Sequence, residues 1–195
     1  MGKIFCIIGK SATGKDHIYQ ELLKRKTLNL KTITMYTTRP KRNLETDGKE
    51  YYFVDTSRLE AFRAEGSLIE CRQYHTVHGE WFYFTVDDGS VRPDEESYLI
   101  IGTLESFVNM ARYYGRDVVV PLYIHVEDGE RLTRALAREK KQVIPQYEEM
   151  CRRFLADQVD FSEEKLKAAG IGCVFENREL SECTEEIAVY ISSLL

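Results

Sequence analysis

The sequence lacks the cysteine pattern of a disulfide framework or of a zinc site. Its five cysteines are an odd number, and none of them forms a C-x-x-C pair. Cys6 and Cys173 lie in apolar runs, which predicts buried thiols and a reducing, cytoplasmic setting. His75 and His78 are interpreted as polar loop residues, because no cysteine or carboxylate completes a metal-ligand spacing around them.

Long hydrophobic runs are also missing. The first apolar run, residues 4–8, is too short for a signal peptide, and no segment approaches the ~18 apolar residues of a membrane-spanning helix. The formal net charge is −5 and no basic stripe dominates the chain. We therefore expect neither a membrane nor a nucleic acid to be the main partner.

What is present is the composition of a globular protein with an α/β pattern. Hydrophobic residues make up 43% and charged residues 30% of the 195 positions, which is enough for one core. A short apolar run precedes a glycine-rich turn and an amphipathic helix, and this order predicts a parallel sheet with helices on both faces. The polar and aromatic stretch at residues 36–90 predicts an inserted α+β subdomain, and residues 1–35 and 91–195 then form the core.

The glycine-rich turn at residues 9–15 reads GKSATGK and matches the phosphate-loop pattern G-x-x-x-x-G-K. Glycines let successive backbone N–H groups point at phosphate oxygens, and the following helix adds its positive end. The position between an apolar strand and an amphipathic helix favours a nucleotide triphosphate site over a chance turn. The predicted phosphate contacts are Ser11, Ala12, Thr13, Gly14, Lys15 and Asp16.

Asp16 stands where a serine or threonine normally binds Mg²⁺. A carboxylate is a hard oxygen ligand, so Asp16 is a predicted Mg²⁺ ligand, either directly or through water. The same charge should weaken the binding of metal-free nucleotide. The alternative interpretation is a favourable charge in the first turn of a helix, with no ligand role.

A second motif follows the phosphate loop. Residues 37–42 read TTRPKR, in which two arginines around a proline form a cationic fork suited to a phosphate. Residues 47–54 read DGKEYYFV. Together with the phosphate loop, these segments resemble the guanylate kinase family, which carries TTR-P-x-R and then D-G-x-x-Y-x-F-V. The resemblance covers most of the chain and is sharpest over residues 3–70.

The resemblance implies that the protein transfers a phosphoryl group from ATP to GMP with Mg²⁺. The sequence leaves open whether the protein is a monomer or a homodimer. It assigns the GMP phosphate to Arg39, Arg42 and Tyr51. Residues 66–70, GSLIE, are similar to a family segment whose glutamate accepts hydrogen bonds from guanine, which implies this role for Glu70. Guanine offers donors at N1 and N2, whereas adenine does not.

The resemblance also implies a helical lid at about residues 131–157, whose arginines close over the ATP phosphates. Solvated helix faces are the alternative interpretation of these arginines. Asn177 corresponds to a family position beside the adenine. The catalytic residues implied in this way are Lys15, Arg39, Arg138 and Arg153.

The chain departs from the family pattern in its acceptor region. A D-x-D pair of the family is replaced here by Ile101 and Thr103, which leaves Thr103 as the expected acceptor contact. The family segment G-x-Y-Y-G-T/S reads GEWFYFT at residues 79–85. One alignment replaces its phenol with Phe82, and another gives the role to Tyr83 or Thr85.

Two further functions stay open on the sequence alone. The missing aspartates suit a catalytically weak module of this fold that binds nucleotides or proteins. The phosphate loop alone also suits a kinase for a different small acceptor, because the loop does not name the acceptor.

Overall fold

A computed structural model of the protein describes residues 2–76 and 79–195. In chain order the elements are β1 (Ile4–Ile8), α1 (Lys15–Lys24), a 3-10 turn (Lys26–Leu28), β2 (Leu30–Thr32), β3 (Tyr36–Thr37), β4 (Tyr52–Phe53), α2 (Thr56–Ala64), β5 (Leu68–Thr76), β6 (Gly79–Val86), β7 (Ser97–Ile101), α3 (Leu104–Tyr114), β8 (Val119–His125), α4 (Asp128–Glu139), α5 (Tyr147–Asp160), α6 (Glu163–Ala169), β9 (Val174–Glu176) and α7 (Leu180–Leu194).

The core is a five-stranded parallel sheet in the order β2-β7-β1-β8-β9. Side chains of the central strand β1 alternate between two buried layers, as expected for a strand covered on both faces. Ile4, Cys6 and Ile8 face the layer that contains α3. Phe5 and Ile7 face the layer built from α1 and α7. The predicted α/β fold, with a parallel sheet between helices, is therefore confirmed.

A second, four-stranded sheet has the order β4-β3-β6-β5 and is mostly antiparallel. Helix α2 covers one face, where Leu59 and Phe62 pack on Phe84 and Val86. All four strands fall within the predicted insertion at residues 36–90, and the sequence did not predict β5. Most side chains of β5 are polar, so a hydrophobic pattern does not predict this strand. It forms by pairing with β6.

Two details of the described residues differ from the sequence predictions. His75 belongs to β5 opposite Glu80 rather than to a loop, because the hairpin pairing extends past it, and His78 lies outside the described residues. Helices α4 and α5 lie mostly within the lid predicted at about residues 131–157, and α6 follows unpredicted. Within the described residues, no helix is both long and apolar enough to cross a membrane.

Candidate functional site

The phosphate loop lies between the end of β1 and the start of α1, at the carboxyl edge of the parallel sheet. Gly9 has a φ of +153°, and a Cβ there would lie 2.4 Å from the carbonyl oxygen of Ile124. Gly14 has a φ of +88°, which favours glycine. The hydroxyl of Thr13 closes the loop by donating to the carbonyl oxygen of Lys10 at 2.9 Å. These contacts hold the curled backbone that a phosphate needs.

Lys15 points into its own loop. Its ammonium donates to the carbonyl oxygens of Gly9, at 2.6 Å, and of Lys10, at 2.8 Å. Burial lowers the pKa of Lys15 to about 8, and the carboxylates of Asp16 and Asp157 oppose that shift. The lysine is therefore placed to exchange two carbonyl contacts for phosphate oxygens.

A buried ion cluster joins the phosphate loop to α4 and α5. Arg131 is 1% exposed, and its guanidinium donates to the carbonyl oxygen of Ser11 and to the carboxylates of Asp128 and Asp157. Asp157 also accepts the backbone N–H of Ser11 at 2.7 Å. The ring of Phe154 lies 4.9 Å from the guanidinium carbon. Sequence reasoning missed this cluster, because Asp157 is distant in sequence from the phosphate loop and contacts it only in the folded protein.

A cavity of about 590 Å³ opens beside the loop. That volume is within the range of small-ligand sites. Its walls include most of the residues predicted to contact ATP, namely Ala12, Thr13, Gly14, Lys15, Asp16 and Asn177. Four cations, Arg134, Arg138, Lys141 and Arg178, also line it. The combination of volume and positive charge suits a nucleotide with several phosphates.

Asn177 connects the last strand of the sheet to the phosphate loop. Its side-chain amide donates to the carbonyl oxygen of Thr13 at 2.8 Å, while its backbone N–H donates to His125. Its side-chain oxygen is buried and has no hydrogen-bond partner within the described residues. An unused acceptor at this position suits a hydrogen-bond donor such as the exocyclic amine of an adenine.

The two predicted lid arginines lie close to the loop. Arg138 on α4 and Arg153 on α5 both line a small cavity of about 10 Å³ together with Ser11. Both side chains are exposed, and their ion-pair distances to Glu139 and Glu149 are long, at 3.9 Å. They are thus free to turn towards phosphates bound at the loop.

Asp16 lies in the first turn of α1 and is exposed. Within the described part of the chain, no group of three or more metal-binding side chains occurs. Any metal at this loop would therefore depend mainly on phosphate oxygens and water. This arrangement is usual for Mg²⁺, which keeps several waters and takes one or two carboxylates.

Arg39, predicted to hold the acceptor phosphate, is 3% exposed, and most of its N–H groups donate to protein groups. Four of its five N–H groups donate to Glu45, Pro40 and the hydroxyl of Tyr83. A phosphate could therefore reach it with at most one hydrogen bond, unless Glu45 moves. Sequence reasoning did not assign a role to Glu45.

Arg42, Tyr51 and Tyr83 surround this arginine. Arg42 is exposed. Its backbone N–H donates to the carboxylate of Glu45, and its carbonyl oxygen accepts the backbone N–H of Glu45. The rings of Tyr51 and Tyr83 meet edge to face with centroids 5.5 Å apart. Of the two alignments considered for residues 79–85, the geometry favours the one with Tyr83, because Phe82 belongs to the opposite, helix-covered face of β6.

Glu70, predicted to read guanine, lies on the same face of the sheet, yet its side chain is 0% exposed. It accepts hydrogen bonds from Arg72, at 3.0 and 3.3 Å, and from the hydroxyl of Thr85, at 2.9 Å. Its role in guanine recognition stays a prediction, and direct contact would require Arg72 to move. Sequence analysis missed Arg72, because alternating side chains along β5 indicate which residues share a face only when the strand itself is known.

Thr103 lies at the N-terminus of α3, directly after β7. Its hydroxyl accepts the backbone N–H of Ser106, and the Ser106 hydroxyl accepts the N–H of Thr103 in return. This capping box gives Thr103 a structural role. Its predicted contact with the acceptor stays a prediction.

Comparison with known proteins agrees with this geometry. A family model described as "Guanylate kinase" matches residues 1–85. The guanylate kinase of Porphyromonas gingivalis is 27% identical over 198 residues, covering 100% of this chain and 99% of that protein. The chain is similar to that guanylate kinase along its whole length.

Two other relatives of the guanylate kinase family match different amounts of the chain. The Thermotoga maritima guanylate kinase is 33% identical over 121 residues, which cover 62% of this chain but only about half, 47%, of that protein. The crystal structure of the guanylate kinase from Anaplasma phagocytophilum has a TM-score of 0.69 at 20% identity, covering 98% of this chain and 85% of that one. The structural likeness establishes the shared fold.

Proposed function

We propose that this chain transfers the γ-phosphoryl group of ATP to GMP, giving ADP and GDP. The observation that carries the proposal is the position of the phosphate loop, beside a large cationic cavity and within reach of two exposed lid arginines. Residues 1–35 and 91–195 would bind ATP, residues 36–90 the acceptor, and residues 131–157 would form the lid.

The chemistry places few demands on the protein. The attacking oxygen belongs to a phosphate whose second pKa is near 6, so it is already ionised and needs no strong base. Catalysis then consists of positioning the two phosphates and neutralising charge on the transferred group. We assign charge neutralisation to Lys15, Arg138 and Arg153, and binding of the acceptor phosphate to Arg42, Tyr51 and Arg39.

Turnover with a panel of acceptors tests the proposal. With ATP and Mg²⁺, we expect ADP formation with GMP and dGMP to exceed that with AMP, UMP or CMP at least about a hundredfold, because sites built for one hydrogen-bonding pattern reject others strongly. ATP hydrolysis without acceptor is the control. No turnover with any acceptor, at high protein concentration, would favour a binding module, and preference for another acceptor would replace GMP.

We propose Mg²⁺ as the cofactor and Asp16 as its protein ligand. Bound Mg²⁺ supplies charge neutralisation between the phosphates, and the exposed carboxylate of Asp16 fits it as a single oxygen donor. Asp16→Ala should weaken the Mg²⁺ dependence of equilibrium binding of a non-hydrolysable ATP analogue. Glu21→Ala, on an exposed position of the same helix, is the matched control. An unchanged Mg²⁺ titration for Asp16→Ala would exclude the assignment.

A further inference from the structure

One face of the second sheet carries a charged pair, Glu70 and Arg72, whose arginine has no role in the proposed reaction. On β5 and β6, Glu70 lies opposite Thr85, and Arg72 lies opposite Tyr83. Residues two apart on a strand share a face, so Arg72 belongs to the face that also carries Glu70 and Tyr83. Tyr83 reaches Arg39, which places the pair next to the proposed phosphate-binding residues.

Glu70 presents no accessible oxygen to a ligand on this face. Its carboxylate has about four lone-pair positions. Three of them receive hydrogen bonds from Arg72 and Thr85, and the side chain is fully enclosed. A base that donates from two adjacent N–H groups therefore finds the carboxylate covered.

Arg72 presents the free hydrogen-bonding group instead. Its Nε and Nη2 donate to Glu70, and Nη2 also contacts the sulfur of Met35 at 3.4 Å. Within the described residues, Nη1 has no hydrogen-bond partner, and it does not belong to the buried unpaired atoms. The side chain is 11% exposed. The accessible atom of the pair is thus a donor, which matches an acceptor on the ligand.

The surroundings keep Arg72 charged and hold it in place. Burial works against the charge, yet the carboxylate of Glu70 keeps the pKa of Arg72 above its ordinary value. The guanidinium also acts electrostatically on Tyr51, one of the proposed phosphate-binding residues, and on Cys6 in the core sheet. It therefore lies within electrostatic range of both Tyr51 and the core sheet.

We infer that Arg72 reads the base of the acceptor by donating from Nη1 to its 6-oxo group, and that Glu70 is a positioning residue that orients Arg72. This inference rests on the proposed function and refines its substrate class to 6-oxopurine nucleoside monophosphates. A 6-amino purine is rejected because its amine and Nη1 of Arg72 are both hydrogen-bond donors. The 2-amino group of guanine makes no essential contact.

The ratio of GMP to IMP separates the two ways of reading the base, because IMP keeps the 6-oxo group and lacks the 2-amino group. If Arg72 reads the base, kcat/KM for GMP and IMP differ by less than about threefold. If Glu70 reads N1–H and the 2-amino group, loss of a hydrogen bond to a charged group makes IMP about ten- to a hundredfold worse. A GMP preference of tenfold or more in the unaltered protein overturns the inference.

Variants of the pair provide the second readout. Arg72→Ala uncovers the carboxylate, so we expect the GMP preference over IMP to rise at least about tenfold. Glu70→Gln should weaken both substrates alike and leave their ratio unchanged. A selective loss of GMP in Glu70→Gln contradicts the positioning role. Arg72→Lys keeps the ion pair with Glu70. It therefore shows whether a change in the ratio of GMP to IMP turnover results from misfolding.

Equilibrium binding of GMP and IMP, measured by calorimetry without ATP, keeps this test separate from catalysis. Equal binding of both nucleotides without any turnover would contradict the proposed function and support the role of Arg72. Turnover of GMP with a tenfold or greater preference over IMP would support the function and contradict the role of Arg72. Failure of both nucleotides to bind would overturn both.

Discussion

Replacing Lys15 with alanine is expected to lower kcat/KM for ATP-dependent phosphorylation about 10³-fold, the loss typical of removing one charge-stabilising donor from a preorganised site. Lys15 is the cation enclosed by the loop itself, with its ammonium on the carbonyl oxygens of Gly9 and Lys10. Phosphates that bind this loop would take over those contacts. A coupled assay for ADP measures the effect. Lys24→Ala, an exposed lysine at the end of the same helix, is the matched control.

The pH dependence of ATP binding supplies a readout specific to the charge of Lys15. Burial holds the pKa of Lys15 at about 8, below its ordinary value, and phosphate binding favours the charged form. Below pH 7 the ammonium is present and affinity is constant. As pH rises through 8 the charge is lost, so Kd for an ATP analogue should increase about tenfold between pH 7 and pH 9.

In Lys15→Ala that dependence should disappear, while Lys24→Ala should keep it. The phosphates do not confuse the result, because their second pKa near 6 leaves them ionised throughout this range. A Lys15→Ala variant with kcat/KM within tenfold of the unaltered protein would contradict the phosphate-loop assignment. An unaltered protein whose Kd is flat from pH 7 to 9 would contradict the charge argument alone.

The phosphate loop was predictable from sequence because its function depends on neighbouring residues. Glycines at fixed spacing set the backbone, and Lys15 follows directly, so the local pattern specifies the local geometry. The parallel sheet was predictable for a similar reason. Strands β1 and β8 are buried runs of apolar residues, and such runs are distinctive over five or more positions.

The acceptor site was less predictable, because its chemistry depends on pairs that are distant in sequence. Glu70 was identified by resemblance, but its state is decided by Arg72 and by Thr85, which comes from the opposite strand. Likewise, Arg39 was identified, while Glu45 and Tyr83 determine how much of it a phosphate can reach. Strand β5 was not predicted, so the alternation that aligns these side chains was hidden.

A shared feature links the two halves of the candidate site. Arg39 and Glu70 are the two buried charges predicted to hold the acceptor, and each is neutralised by a neighbour within six residues, Glu45 and Arg72. Removing a buried charge from water without a partner is costly, so such pairs keep the site stable. When the acceptor binds, it replaces a protein partner of the buried charge and creates no new unpaired charge. The partner residue therefore helps to determine which acceptor can bind.

The same reasoning applies to Arg131, whose replacement by methionine is expected to destabilise the protein by about 3 kcal/mol. Methionine preserves the apolar contact with Phe154 but leaves Asp157 without its cation, at a side-chain exposure of 14%. The carbonyl oxygen of Ser11 also loses a donor. Urea unfolding followed by circular dichroism measures the change, as a lower midpoint with an unchanged m value.

Two variants show whether the effect comes from the uncompensated charge. Arg152→Met removes an exposed arginine paired with Glu149 on α5, and it should cost less than about 0.5 kcal/mol. Adding Asp157→Asn to Arg131→Met removes the unpaired charge and should recover about half of the lost stability, because the two residues interact directly. An Arg131→Met variant as stable as Arg152→Met, or a double variant without recovery, would show that the ion cluster does not hold the phosphate loop to α5.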